Sequence, residues 1–208
     1  MRNTLTGILV LGLLFAPVAV MAADQPNNYA AVKLGMYRPG SKTLGTEDPP
    51  PDLKFKSGFD WEAVYGRKIM PYLALELGAG MFSTKSNTFQ VDDGDGGTIA
   101  VNAKVDVIPV TLNAKGIYSI DKLDLFALAG VGYYRAKFKF EEPGFSDSKT
   151  KSKMGFQLGV GADYNFTSNV FAGLEAKYLF VKPDFGEDSA GKVKLNGFRT
   201  TANIGYRF

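Results

Sequence analysis

Apolar and polar residues alternate along much of this sequence, and this period of two is the feature that most constrains its fold. At the C-terminus, one parity carries Phe198, Thr200, Ala202, Ile204, Tyr206 and Phe208, and the other carries Arg199, Thr201, Asn203, Gly205 and Arg207. Successive side chains of a strand point to opposite faces, so this pattern predicts a strand with two unlike faces. Soluble sheet edges are usually blunted by charge or proline, so this apolar face requires an apolar cover.

The same alternation recurs along the chain, whereas no stretch beyond the N-terminal segment repeats usefully with a helical period. The clearest case places the apolar residues from Met154 to Phe166 on one face, opposite glycine and polar residues. We predict eight strands, near residues 29–38, 54–66, 72–84, 99–118, 123–140, 153–166, 170–181 and 193–208.

Two of these strands have an ambiguous register. In the fourth, the apolar residues change parity between Val107 and Val110, and we predict a β-bulge near Pro109 that returns both runs to one side. In the fifth, the predicted apolar face carries Phe126, Leu128, Tyr134, Phe138 and Phe140.

Short and long connections alternate strictly between the predicted strands. RKIMP, SIDK and TSN are short, and the long segments, rich in Gly, Pro, Ser, Asp and Lys, lie near 39–53, 85–98, 141–152 and 182–192. In an antiparallel meander this order predicts all long loops at one end and both termini at the other.

The N-terminus and the composition restrict the class of protein. An Arg followed by an apolar run and a small-residue site predicts a cleaved signal peptide over residues 1–22 and a single domain over 23–208. The chain has 208 residues, a net charge of +3, no Cys and no His. A net charge this small gives no indication of nucleic-acid binding. The absence of Cys excludes disulfides and thiolate metal sites, and the absence of His excludes imidazole general bases.

Alternation alone fits either a membrane barrel or a secreted barrel that resembles a lipocalin, because both have one apolar face. The polar face consists of Gly, Asn, Gln, Thr and sparse charges of both signs, which suits a narrow closed interior. We therefore predict an all-β, closed eight-stranded antiparallel up-and-down transmembrane β-barrel. Its aromatic girdle at the two membrane interfaces is predicted to include Tyr37, Tyr65, Tyr118, Tyr164 and Tyr178.

Charged residues on the polar face form the candidate site. Paired carboxylates such as Asp60 with Glu62 could do acid/base chemistry, but nearly equal numbers of both signs favour an ion-pair plug, because buried charges need partners. The predicted lumen network comprises Lys33, Asp60, Glu62, Glu76, Lys115, Asp163, Glu175, Lys177 and Arg199. The acidic run DDGDGG at 92–97 does not fit an EF-hand loop, so no metal site is predicted.

The chain resembles the eight-stranded outer-membrane barrel superfamily, which includes the OmpA transmembrane domain, OmpX and OmpW. The resemblance rests on MYRPGSKTLG, IPVTLNAKGIY, LFALAGVGYY and the terminal IGYRF. It implies that Ile204, Tyr206 and Phe208 form an assembly signal for the barrel-insertion machinery. It also implies an OmpW-like branch that passes small hydrophobic molecules, without the peptidoglycan-binding domain of full-length OmpA proteins.

From these observations we expect an integral protein of the bacterial outer membrane, with both termini periplasmic, that provides a narrow channel or lateral path for small, hydrophobic solutes. The alternative is a non-conducting surface protein whose loops, with Lys42, Lys149, Lys151, Lys182 and Lys192, mediate adhesion or lipopolysaccharide contact. Lipid, lipopolysaccharide and the assembly machinery are the expected partners of a monomer. We expect neither enzymatic activity nor a cofactor, because the known lipid-modifying barrels use Ser with His.

Overall fold

The structure, a computed structural model, describes residues 27–40, 55–86, 89–92, 98–142, 145–181 and 196–208. These residues form strands, and none of them belongs to a helix of the length and apolarity needed to cross a membrane. The strands are β1 (Asn28–Pro39), β2 (Phe55–Lys56), β3 (Gly58–Met70), β4 (Leu73–Ser86), β5 (Phe89–Asp92), β6 (Thr98–Ile120), β7 (Leu123–Glu142), β8 (Phe145–Asn165), β9 (Val170–Phe180) and β10 (Gly197–Arg207).

Eight of the strands close into a ring, in the order β3, β1, β10, β9, β8, β7, β6, β4 and back to β3. The first and last strands pair antiparallel, from Tyr29 opposite Arg207 to Pro39 opposite Gly197, and β4 pairs with both β3 and β6. The short strands β2 and β5 add to β4 and β6. The predicted closed eight-stranded antiparallel barrel is therefore confirmed.

The two ends of the barrel differ in their connections. One end, called the turn end below, carries turns at residues 71–72 and 121–122, the bend at 166–169, and residues 27 and 208. Asp121 has a positive φ of 52°, which a two-residue hairpin turn requires and which Asp tolerates. The opposite end, called the loop end, is where the segments 41–54 and 182–195 leave the described strands.

The alternation in the sequence corresponds to the two faces of the wall. In β10, residues from Gly197 to Arg207 are alternately buried and exposed along the whole strand. Its outward residues are apolar, with Phe198, Ile204 and Tyr206 between 53% and 62% exposed. Alternate residues of β10 therefore face an apolar outer surface and a polar interior, as the sequence predicts for this strand.

The predicted register of β7 is wrong. Phe126, Leu128 and Tyr134 are buried in the interior, and Val131 and Tyr133 are exposed instead. Glycines make room for these inward rings: the Phe126 ring lies where a Cβ of Gly161 would be, and the Tyr134 ring lies close to Gly132. The side chains of Phe138 and Phe140 are outside the described part of the chain.

The predicted β-bulge near Pro109 is also wrong. The pairing of β6 with β7 keeps one register from Asn102 to Ile120, so Val107 stays inward and Val110 stays outward. Val107 packs in an apolar part of the interior, which explains its parity without a bulge. The segment 141–152, predicted as a long loop, is mostly strand in the described residues, since β7 and β8 stay paired as far as Glu142 opposite Phe145.

The close approach between Phe126 and Gly161 gives a stability prediction. We expect Gly161→Ala to destabilise the barrel by about 1–3 kcal/mol, because the new Cβ would overlap both the ring and the Leu174 backbone oxygen. The matched control is Gly116→Ala, whose Cβ would meet its nearest neighbouring atom at 3.8 Å. Urea unfolding in lipid vesicles measures both, and equal stability of the two variants would contradict the packing described.

Candidate functional site

All nine charged residues predicted for the lumen lie inside the barrel and are at most 5% exposed. They also contact one another in a single sequence of ion pairs, called the charge chain below. At the loop end Arg199 holds Asp60 through two hydrogen bonds, from Nε to Oδ2 at 2.6 Å and from Nη2 to Oδ1 at 2.5 Å. The Arg199 Nη2 atom is also 3.6 Å from Oε2 of Glu62.

The charge chain continues toward the turn end through three lysines. Lys177 Nζ lies 2.6 Å from Glu62 and 2.9 Å from Glu175. Lys33 joins Glu175 at 2.6 Å to Glu76 at 3.5 Å. Lys115 joins Glu76 at 3.2 Å to Asp163 at 3.0 Å. The chain therefore runs along the barrel axis, and each of its carboxylates contacts at least one cation.

Apolar residues close the interior above the charge chain. The loop-end cluster consists of fully buried residues from β1, β4, β6, β7 and the end of β9, with the Tyr37 and Phe82 rings 4.4 Å apart. Its members are Tyr37, Phe82, Val105, Val107, Tyr134, Ala136, Leu179 and Val181. The Arg199 guanidinium lies 5.5 Å from the Phe82 ring centre and so joins this cluster to the charge chain.

A second set of contacts closes the turn end. Tyr29, Ala31, Ala74 and Phe171 form a buried cluster, and the Tyr29 hydroxyl donates a hydrogen bond to Glu76 at 2.7 Å. Beside it is a cavity of about 10 Å³, lined in part by Tyr29, Lys115 and Arg207, which is room for roughly one water. The described interior therefore has an apolar cluster near each end of the charge chain, and the loop-end cluster overlaps the charges where Tyr37 is opposite Arg199 and Phe82 is opposite Asp60.

The sequence analysis missed an ion pair at the turn end. Arg207 donates to Asp124 at 3.1 Å and to Asn165 at 2.6 Å, and Ser119 donates to Asp124 at 2.5 Å. Arg207 shares the parity of Arg199, which was a usable signal. Asp124 was missed because the incorrect register of β7 placed it on the outer face. Gln157 and Asn113, which are hydrogen-bonded at 2.5 Å, are further buried polar residues that the prediction omitted.

Most of the predicted girdle and assembly residues lie on the outer face. Tyr118 and Tyr164 are 69% and 45% exposed, and Tyr65 and Tyr178 are half-buried. Ile204, Tyr206 and Phe208 are 62%, 53% and 54% exposed. The girdle prediction for Tyr37 is wrong, because it shares the inward parity of Lys33 and is fully buried. Residues 93–97 of the acidic run lie outside the described residues.

The wall itself has a break between β4 and β6. These strands pair at Ala79 opposite Val110 and again at Phe82 opposite Val107, but the described residues between them, Gly80–Met81 and Ile108–Pro109, are not paired. The register is the same on both sides, so no residue is inserted. Pro109 has no N–H to donate, which accounts for the break. Phe82 and Val107 of the loop-end cluster lie directly beside it.

The charge chain yields a stability prediction. Arg199→Met leaves Asp60 buried without its guanidinium partner, so we expect a loss of about 3–5 kcal/mol in the free energy of unfolding. Adding Asp60→Asn removes the stranded charge and should recover part of the loss. Urea unfolding of the single and double variants in lipid vesicles tests this, and strictly additive losses would show that the two residues are not coupled.

The known proteins that this chain resembles in sequence or in structure are outer-membrane proteins. Outer membrane protein P5 of Haemophilus influenzae is 28% identical over 192 residues, which cover 86% of this chain and 51% of P5. The chain spans about half the length of the curated relatives it matches. OprG of Pseudomonas aeruginosa superposes with a TM-score of 0.63 at 15% identity, covering 89% of this chain and 98% of OprG.

A second structure, a major outer membrane protein from Thermus thermophilus, has a TM-score of 0.60 at 14% identity and covers 88% of this chain and 98% of its own. At these identities the two structures show the fold alone. The family described as "Outer membrane protein beta-barrel domain" matches residues 7–208, nearly the whole sequence. The chain therefore belongs to this family of bacterial outer-membrane β-barrel proteins.

Proposed function

We propose that the protein lets small apolar solutes pass from the loop end into the surrounding lipid through the side of the barrel. The observation that carries this proposal is the unpaired stretch between β4 and β6 at Gly80–Met81 and Ile108–Pro109. Along most of the described ring, backbone hydrogen bonds between strands would have to break before a solute could leave sideways. The β3–β4 wall is also irregular, at Ile69 and at residues 57–59, but neither position contains a proline. At Pro109 one donor is already missing.

The layers of the interior favour a lateral exit over passage along the axis. An apolar solute that entered at the loop end would first meet Tyr37, Phe82 and Val107, which are apolar and fully buried. Below them it would have to displace the charge chain, whose ions are costly to separate in a narrow interior. The break lies where these two layers meet, since Gly80 is opposite Glu62 and Phe82 is opposite Asp60, so the solute would leave before it reached the three lysines of the charge chain. The loop-end cluster is tightly packed, and its side chains have to move during each passage.

The proposal includes an orientation and a set of partners. We place the loop end outside the cell and residues 27 and 208 on the periplasmic side. The outward aromatic residues at the turn end, among them Tyr118, Tyr164 and Tyr206, would then lie at the inner interface of the membrane. Ile204, Tyr206 and Phe208 would engage the assembly machinery, and the barrel would function as a monomer. The paired state of every carboxylate in the charge chain supports a role without catalysis.

The alternative of a surface interaction protein has one observation in its favour. At the loop end, Lys151 and Lys153 are exposed on the rim of the described barrel, where they could meet an anionic ligand. Lys42, Lys182 and Lys192, which the sequence analysis also assigned to this role, lie outside the described residues, as does the side chain of Lys149. The two functions differ in one testable respect. If the protein transports solutes, their entry should depend on whether β4 and β6 can separate at the break; if it only binds ligands at its surface, it should not.

A reversible cross-link tests the lateral path directly, because the natural chain has no cysteine. Met81→Cys and Ile108→Cys place two thiols opposite each other across the break. We expect oxidation to reduce protein-dependent entry of N-phenyl-1-naphthylamine, an apolar dye that fluoresces in lipid, by roughly tenfold, and reductant to restore it. The physical reason is that the disulfide holds the two strands together where the solute must pass.

The matched control is Leu77→Cys with Leu112→Cys, a pair in the same two strands four residues nearer the turn end, where the ladder is intact. Its oxidation should leave dye entry unchanged. Equal dye entry in the oxidised and reduced states of the first pair would rule out the path through the break. A loss of entry on oxidation of both pairs would point to general stiffening of the barrel instead.

A further inference from the structure

Cations from neighbouring strands stand side by side on the outer wall at the loop end. The registers place Lys56 of β2 opposite Lys85 of β4, and Lys85 opposite Lys104 of β6. On β7, Arg135 and Lys137 are exposed on the same outer face, since Tyr134 and Ala136 between and beside them are buried. We call these five residues, with Asp106, the basic wall.

The charges of the basic wall are unbalanced. Asp106 is the acid among these described side chains, and its Oδ1 lies 3.0 Å from Lys104 Nζ. Five cations and one carboxylate leave 5 − 1 = +4. Like charges directly opposite each other on paired strands destabilise a sheet. Among the described side chains, Asp106 offsets only part of the repulsion in this row of three paired lysines, which favours an additional anion at the row.

The position of the basic wall identifies the kind of anion. Immediately nearer the turn end, the same strands present Ile108, Val110, Val131 and Tyr133, which are 39% to 52% exposed and belong to the apolar outer surface. The cations thus begin where the apolar band ends, at the level of lipid headgroups. An anion with its own acyl chains would contact both surfaces, whereas a soluble anion would contact only the lysines.

We propose that the basic wall binds the phosphates of a glycolipid in the outer leaflet, with the acyl chains against the apolar residues below. In the bacterial outer membrane this chemistry corresponds to the lipid A part of lipopolysaccharide. Lys85 and Lys104 are the central ligands, because each has a cation on a neighbouring strand. The site lies on β4 and β6, four residues from Met81 and Ile108, so the bound lipid lies next to the lateral break.

The choice of leaflet rests on the orientation proposed above, whereas the binding chemistry does not. Binding is therefore measured on the purified, folded protein in uncharged detergent, by native mass spectrometry with bisphosphorylated lipid A. We expect Lys85→Gln with Lys104→Gln to weaken binding roughly thirtyfold. The matched control is Lys122→Gln, compared with Lys85→Gln alone: it removes one charge from an exposed position at the turn end, off the basic wall, and should stay within about twofold of the natural protein.

Several results would overturn the proposal. Equal weakening in the control would show a general charge effect, and tight binding of dephosphorylated lipid A would show that phosphate is not recognised. Displacement of lipid A by millimolar inorganic phosphate would show a site for soluble anions. A change in gel mobility on boiling verifies that each variant is folded, and Lys85→Gln alone, with roughly fivefold weaker binding expected, replaces a double variant that fails this check.

The orientation is tested separately in intact cells with a membrane-impermeant maleimide. Labelling of Lys56→Cys but not of Lys122→Cys supports placing the basic wall in the outer leaflet. The reverse labelling would overturn the assignment to lipid A and the proposed orientation together, while leaving the phosphate site measured in detergent intact. If Lys56→Cys is labelled and Lys122→Cys is not, but lipid A does not bind, the proposed lipid site on the basic wall is wrong and the proposed lateral path is unaffected.

Discussion

A strand that crosses a membrane has no water to satisfy its backbone N–H and C=O groups, so every strand must have a partner on both sides. The pairing of β1 with β10 meets this requirement and removes the two edges that an open sheet would expose. Because eight strands complete the ring, the interior is only wide enough for side chains to fill it. The closure of the wall therefore determines that the interior is a packed core.

The contents of that core follow from its width. Charged side chains within it can persist only if each finds an opposite charge, and the charge chain from Asp60 to Asp163 provides this along the axis. The ends are closed by the Tyr37 and Tyr29 clusters. In the proposed route, a barrel closed along its axis exchanges molecules with its surroundings through the wall, at the unpaired stretch beside Pro109 between β4 and β6.

The sequence predicts the closed barrel and the inward charges well, because both depend on period two and on the cost of burying unpaired ions. It fails where the interior is apolar. Phe126, Leu128 and Tyr134 were assigned to the outer face by their character alone, yet they pack inside against glycines of other strands. The predictions for Val107 and Tyr37 were wrong for the same reason. In the sequence, an apolar residue that points inward looks the same as one that a β-bulge has shifted or one that belongs to an outer aromatic girdle. Inward apolar layers depend on which residues face each other across the barrel, which one strand does not reveal.

We propose that the axis of the barrel is closed and that solutes leave through the side wall. The most direct measurement is the conductance of the natural protein in a planar lipid bilayer, under a steady voltage and in moderate salt. With the charge chain intact and both apolar clusters in place, we predict no sustained ion current. A steady current that rises in proportion to the voltage would show a continuous aqueous path along the axis and would contradict this account.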